Sequence, residues 1–168
     1  YNTHIGSYAG YSNTTDSYTT FVGYFAGYHN TTGSGGGYNT AIGSNSQIGV
    51  SGSTTGYYNT SVGHSSLRRF TTGHRNTCMG QDALAYLTTG VYNVAVGYQA
   101  GYDLTSGQNN ALFGMQAGDN LTTGSYNTYL GSDAGEAAIT NNYEVGIGYF
   151  ALGRSNGGER NVAIGYLA

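Results

Sequence analysis

One feature constrains this sequence more than any other. A short motif returns at a fixed interval along the whole chain, and each return carries a Gly directly after an apolar residue. Aligned on that Gly, the chain divides into units starting at Tyr1, Tyr18, Tyr38, Tyr58, Arg75, Tyr92, Asn109, Tyr126, Tyr143 and Arg160. The spacings are 17, 20, 20 and then 17 throughout. The two longer units each hold three extra residues, one set near 34–37 and the other near 47–52. A strict short period means that each unit is one structural turn. Such a turn cannot bury its apolar face alone and must stack on its neighbours. Residues 1–168 therefore read as a single repeat array, and as a segment of a longer fibre.

Positions within a unit are numbered as columns 1 to 17. Column 6 is Gly in every unit, from Gly6 to Gly165. Column 5 is always apolar, as in Ile5, Val22, Met79, Phe113 and Leu130. Column 9 is always Ala or Ser, column 2 is Asn except at Thr19 and Glu144, and columns 14 to 16 read Thr-Thr-Gly or nearly so. Helical solenoid repeats are longer. Here the apolar stretch is short, rich in Val, Ile, Thr and Tyr, and bounded by Asn and Gly, which is strand composition with turn punctuation. Each unit is thus predicted to be one coil of an all-β parallel β-solenoid of ten 17-residue coils. The strand is placed on columns 2 to 5, a second extended segment on columns 7 to 10, and the Thr-Thr-Gly stretch closes the coil. At ~4.8 Å per coil the array would be about 45 Å long.

The columns predict the packing. Column 5 is expected to point inward as the core rank. Ala of column 9 should join it, with Phe70, Leu87, Leu104 and Leu121 of column 13. Asn of column 2 should stack as an amide ladder, and Tyr of column 1 as an aromatic ladder in which Arg75 and Arg160 lie on Tyr faces. The core per coil is thin, one Val or Ile with one Ala and one Leu. That predicts further burial between chains, most simply a central seam shared by a homotrimer.

Composition removes several functions. Five Arg and no Lys, with a net charge of −3, cannot track a nucleic-acid backbone. No apolar run approaches the ~20 residues of a membrane span, so no membrane insertion is expected. A single Cys excludes a disulfide framework and a Cys-based zinc site.

Asn39-Thr40-Ala41-Ile42-Gly43, Tyr92-Asn93-Val94-Ala95-Val96-Gly97 and Asn161-Val162-Ala163-Ile164-Gly165 resemble the repeats of YadA-like trimeric autotransporter adhesin heads. The longer Tyr-Asn-Thr pattern is similar to repeats of phage tail fibres and bacterial surface proteins that precede an endosialidase-type chaperone domain. The resemblance implies a left-handed β-roll, a homotrimer or an end-to-end filament, and an extracellular, cell-surface or virion location. It implies a structural role in extending and displaying surface attachment. The period of 17 departs from the shorter adhesin-head repeat. The segment Val96-Gly97-Tyr98-Gln99-Ala100-Gly101 also fits the hexapeptide pattern of left-handed β-helix acyltransferases, but once per coil where those enzymes use it three times.

Chemistry-bearing residues are sparse. No nucleophile–base arrangement, P-loop or glycosidase-type acid pair can be assembled, so no catalytic residue, enzyme activity or cofactor is assigned. Asp119 and Glu136 share column 11 in adjacent coils. They form the one weak candidate for a cation, set against a reading as two solvated acids. His64, His74 and Cys78 are close in sequence but fall in different columns. Arg68 and Arg69 break columns 11 and 12 beside the second insertion and read as a solvated pair, with a specific contact as the other reading. The exposed Tyr columns carry the alternative function, direct contact with a cell-surface glycan or protein receptor through Tyr24, Tyr98, Tyr102, Tyr149 and Tyr166, since Tyr presents a large amphipathic face at low entropic cost. The Thr rank Thr14, Thr31, Thr54, Thr71, Thr88, Thr105 and Thr122 resembles that of ice-binding solenoids, although bulky Tyr interrupts its flatness.

Overall fold

A computed structural model describes residues 1–31 and 37–168. The first insertion, apart from Gly37, lies outside the described residues. Each unit contributes one three-residue strand: β1 (Thr3–Ile5), β2 (Thr20–Val22), β3 (Thr40–Ile42), β4 (Thr60–Val62), β5 (Thr77–Met79), β6 (Val94–Val96), β7 (Ala111–Phe113), β8 (Thr128–Leu130), β9 (Val145–Ile147) and β10 (Val162–Ile164). They form one 10-stranded sheet in sequence order, and every neighbouring pair is parallel and pairs like column with like column. The molecule is a parallel β-solenoid.

Among the described residues the remainder of each coil is turn and irregular backbone, with no second strand. Columns 7 to 10 bend because two of them sit in the left-handed region. Column 8 has φ between 54° and 60° in every unit, from Tyr8 to Leu167. Column 10 has positive φ at Gly10, Gly27, Gly101, Gly118 and Gly135, but also at Gln47, Leu67, Leu84 and Leu152. Extended backbone is excluded at such positions. Left-handed backbone is costly for residues other than Gly, and the stacking must hold it there. The turns still bond from coil to coil, as in Gly27 N–H to Ser46 O at 2.9 Å and Thr88 N–H to Thr105 O at 2.9 Å.

The strand faces reverse the expected assignment of columns 4 and 5. Column 4 points inward, and Phe21, Ala41, Ser61, Cys78, Ala95, Leu112 and Tyr129 are buried there. Column 5 points outward, leaving Ile5, Ile42, Met79, Phe113, Leu130 and Ile164 exposed. The reason is the period of two along a strand. The Asn of column 2 turns inward to build its ladder, so column 4 must share that face and columns 3 and 5 take the other. Column 4 meets the Ala of column 9 across a narrow coil, with Leu87, Leu104 and Leu121 completing the core. The core is interrupted at the third and fourth coils, where Ser46 Oγ lies 2.6 Å from Ser61 Oγ and 3.0 Å from Ser66 Oγ.

The amide ladder runs from Asn39 to Asn127, between Thr19 and Glu144. Asn93 Nδ2 donates to Asn76 Oδ1 at 3.1 Å and to Gly107 O at 2.9 Å. Its own Oδ1 accepts from Asn110 N and Asn110 Nδ2 at 3.0 Å each. The same pattern links Asn59, Asn76 and Asn110. Buried amides are tolerated here because both donors and the acceptor are used.

Candidate functional site

The aromatic ladder of column 1 lies on the surface. Tyr1, Tyr18, Tyr38 and Tyr58 stack in series with ring centroids 5.1, 4.9 and 4.8 Å apart. These distances match the inter-strand spacing, so the stack is set by the coil pitch. Arg75 continues it. Its guanidinium lies 5.6 Å from the Tyr58 ring and 5.5 Å from the Tyr92 ring, and it donates to Tyr92 Oη at 3.1 Å. Arg160 covers Tyr143 in the same way, at 5.5 Å.

The other Tyr candidates are dispersed. Tyr24, Tyr98, Tyr149 and Tyr166 are exposed, and Tyr149 and Tyr166 stack at 5.3 Å. Tyr24 and Tyr98 stand four coils apart, roughly 19 Å at ~4.8 Å per coil, separated by Ser44, His64 and Gln81 of the same column. Tyr102 packs edge-on against Tyr86 at 5.0 Å. The five rings therefore do not form one site.

Asp119 and Glu136 lie in adjacent coils, within electrostatic range of each other. Asp119 Oδ1 accepts from Asn120 N at 2.9 Å and Asn120 Nδ2 at 3.2 Å, and Asn120 Nδ2 also donates to Glu136 O at 2.8 Å. Partial burial pushes the Asp119 carboxyl up to about 6. The Asn120 backbone hydrogen bond opposes that shift, and the charges of Glu136, Asp103 and Asp133 add to it. Among the described residues no three His, Cys, Asp or Glu side chains converge as a metal would need. His74 stacks on Tyr57 at 4.7 Å, and Cys78 is buried, its thiol pushed up to about 12 by that burial despite a hydrogen bond with Ser66. That thiol is protonated at neutral pH and unreactive.

The raised Asp119 value has a consequence for stability. The folded protein holds this proton to higher pH than the unfolded chain does. The penalty is absent below the unfolded value of 3.8, grows as pH rises, and is complete above about 6. Asp119→Asn keeps an acceptor for Asn120 and removes the charge. Its melting temperature should exceed that of the parent at about pH 7.5 and match it at about pH 3.5. A lower melting temperature for the variant at neutral pH would contradict this.

The Thr rank uses its hydroxyl protons internally. Thr71, Thr88, Thr105 and Thr122 donate from Oγ1 to the carbonyls of Thr88, Thr105, Thr122 and Ile139 at 3.0 to 3.1 Å. These donors are directed along the stack and not into solvent.

One buried polar centre has no counterpart among the sequence-based expectations. Glu144 takes the place of an Asn in column 2 and is fully buried. Its carboxylate accepts from Tyr129 Oη at 2.6 Å, Asn161 Nδ2 at 2.8 Å, Asn141 Nδ2 at 3.0 Å and Ser155 Oγ at 3.0 Å. Tyr129 reaches it across Gly146, whose missing side chain leaves space for the ring. Burial, and then the Glu144 carboxylate, raise the Tyr129 hydroxyl above its ordinary value and keep it a donor. The signal in the sequence is Glu144 in place of the Asn of column 2; Tyr129 and Gly146 fall in column 4, which varies along the chain. No family model, curated protein or solved structure matches this chain.

Proposed function

We propose that this chain is a structural repeat segment of an extracellular or virion fibre. Its copies form left-handed rolls that associate as homotrimers and extend and display a surface-attachment function. The observation that carries this reading is the bare outer face of the sheet. Column 5 presents an apolar side chain in every coil, and six of the ten are exposed. Sheets of parallel strands are normally covered on both faces. A stripe of nine coil spacings, flanked by column 3 with Thr in six units and Val94, Ala111, Val145 and Val162 in the others, covers on the order of 400–600 Å², the size at which an apolar patch marks an interaction surface. Copies of the same chain carry the same stripe at the same pitch, so a closed rotational assembly pairs like with like along its whole length.

The test is the solution mass. Light scattering at about 0.1 mM should give three times the 17.5 kDa of one chain. The variant Met79→Glu with Leu130→Glu should give one chain with an unchanged β-sheet circular dichroism spectrum. A parent protein that stays monomeric at that concentration overturns the proposal.

A further inference from the structure

Two irregularities of the repeat, one in spacing and one in charge, meet in space. In the third unit the coil-to-coil register holds through Gly49, whose N–H donates to Arg68 O at 3.0 Å. It resumes at Thr55, whose N–H donates to Thr71 O at 2.7 Å. Residues 50–53 leave the stack as a short loop. Buried Thr54 ties the loop down, its Oγ1 accepting from Val50 N at 2.6 Å and donating to Val50 O at 2.9 Å.

The loop stands beside column 12, where His29, Gly49 and Arg69 follow one another in successive coils. Thr54 fills the place that a Cβ of Gly49 would take, so the side chains around the loop, and not a missing Gly49 side chain, bound the space there. The result is an open groove of about 530 Å³ lined by His29, Ile48, Val50, Ser51, Arg68 and Arg69. Its size falls in the range of small-molecule sites, about 300–1,000 Å³.

The solvated reading holds for Arg69, which is exposed, and only in part for Arg68. Both lie over one ring, that of Tyr86, at 4.8 Å for Arg69 and 5.8 Å for Arg68. Arg68 is half-buried, and its Nε is buried with no hydrogen-bond partner. Among the described residues no carboxylate pairs with either guanidinium, and residues 32–36 contain no acid. Asp82, which acts on the Tyr102 hydroxyl in this neighbourhood, accepts from Gln81 Nε2 at 3.1 Å. Two adjacent cations held on one aromatic face with no carboxylate partner suit an oxyanion. Guanidinium groups bind carboxylate and sulfate through paired, charge-assisted hydrogen bonds.

We infer that the groove between the loop of residues 50–53 and Arg68–Arg69 binds an anionic sugar unit, carboxylated or sulfated. The guanidinium groups take the acid group, Ile48 and Val50 supply an apolar wall for the ring, and Ser51 and His29 meet hydroxyls. The groove lies on columns 11 and 12, off the face of columns 3 and 5. It does not depend on self-association and is equally present in the Met79→Glu, Leu130→Glu variant.

Calorimetric titration with four probes tests this: a sulfated heparin tetrasaccharide, a carboxylated hyaluronan tetrasaccharide, neutral maltotetraose, and sodium sulfate. At least one anionic tetrasaccharide should bind at least about tenfold more tightly than both maltotetraose and free sulfate. Arg68→Gln, Arg69→Gln and Ser51→Glu should each weaken that binding by about tenfold, while the distant Arg154→Gln should leave it unchanged. Ser51→Glu acts from the exposed loop and leaves both Arg in place, so its loss is not one of folding. Equal binding of maltotetraose, equal binding of free sulfate, no binding of either anionic probe, or an equal loss in Arg154→Gln overturns the proposal.

Discussion

Gly63→Ala is expected to destabilise the array by about 4 kcal/mol or more, enough to melt the middle of the solenoid. Two independent effects coincide at this residue. Its φ is +133°, outside the regions open to L side chains, and an added Cβ would stand 2.5 Å from the carbonyl oxygen of Gly80 in the next coil. The obstacle is backbone held in a hydrogen-bonded stack, so nothing nearby can rotate away. Gly52→Ala separates the two effects. Gly52 has φ of +70° and open space around its Cα, and its substitution should cost only about 1–2 kcal/mol for the left-handed backbone. Chemical denaturation of both variants gives the comparison. Gly63→Ala within 1 kcal/mol of the parent, on a scale where ~1 kcal/mol is an ordinary mutational effect, would refute the column 6 argument. In a stacked array the damage should also be local at first, with hydrogen exchange accelerating in the fourth and fifth coils before the ends.

Asn93→Ala should cost about 3–5 kcal/mol, although it removes little apolar surface. It leaves Gly107 O and the Asn110 N–H without partners and removes one of the two Asn110 Nδ2 bonds, while Asn76 Oδ1 keeps the Asn93 backbone N–H, and Asn93 itself is fully buried. Each buried polar group left unpaired costs about 1–3 kcal/mol. Tyr92→Ala, one residue away in the exposed ladder, should cost about 1 kcal/mol or less beyond its stacking. If denaturation ranked these two variants the other way, the surface ladder and not the buried amide would be the chief brace of the coil. Hydrogen exchange at Asn110, whose amide donates to Asn93 Oδ1, reports the same loss at a single residue.

The repeat made much of this legible. The fixed Gly of column 6, the amide ladder and the stacked Tyr are each readable from one aligned column, because in a stacked array like residues become neighbours. The pairing of Arg75 with Tyr58 and Tyr92 followed from the same register. The inward and outward faces were misjudged. A uniformly apolar column suggests a core, and column 5 is uniformly apolar, whereas column 4 runs through His4, Phe21, Ala41, Ser61, Leu112, Tyr129 and Gly146. Variation in column 4 reflects large and small residues compensating along one packed stack, as Tyr129 and Gly146 do. Column 5 is apolar on the outside, which a single chain gives no reason to expect. The turn columns 8 and 10 were legible only in part: five Gly of column 10 suit left-handed backbone, whereas Phe25, Gln99 and Leu84 carry no such signature. Stacking between coils imposes that backbone.

The sequence by itself determined the period, the strand in each unit, the parallel register and the identity of the stacked ladders. These are properties of a column, and a column is a one-dimensional fact. Only the tertiary structure decided which face of the strand looks inward, because that depends on the buried Asn and the width of the coil. It also decided that Tyr129, Glu144 and Gly146 form one buried centre, and that the loop after Gly49 lines an open groove with Arg68 and Arg69. Those contacts join different columns of different coils, and their distances are set by how the chain turns between strands.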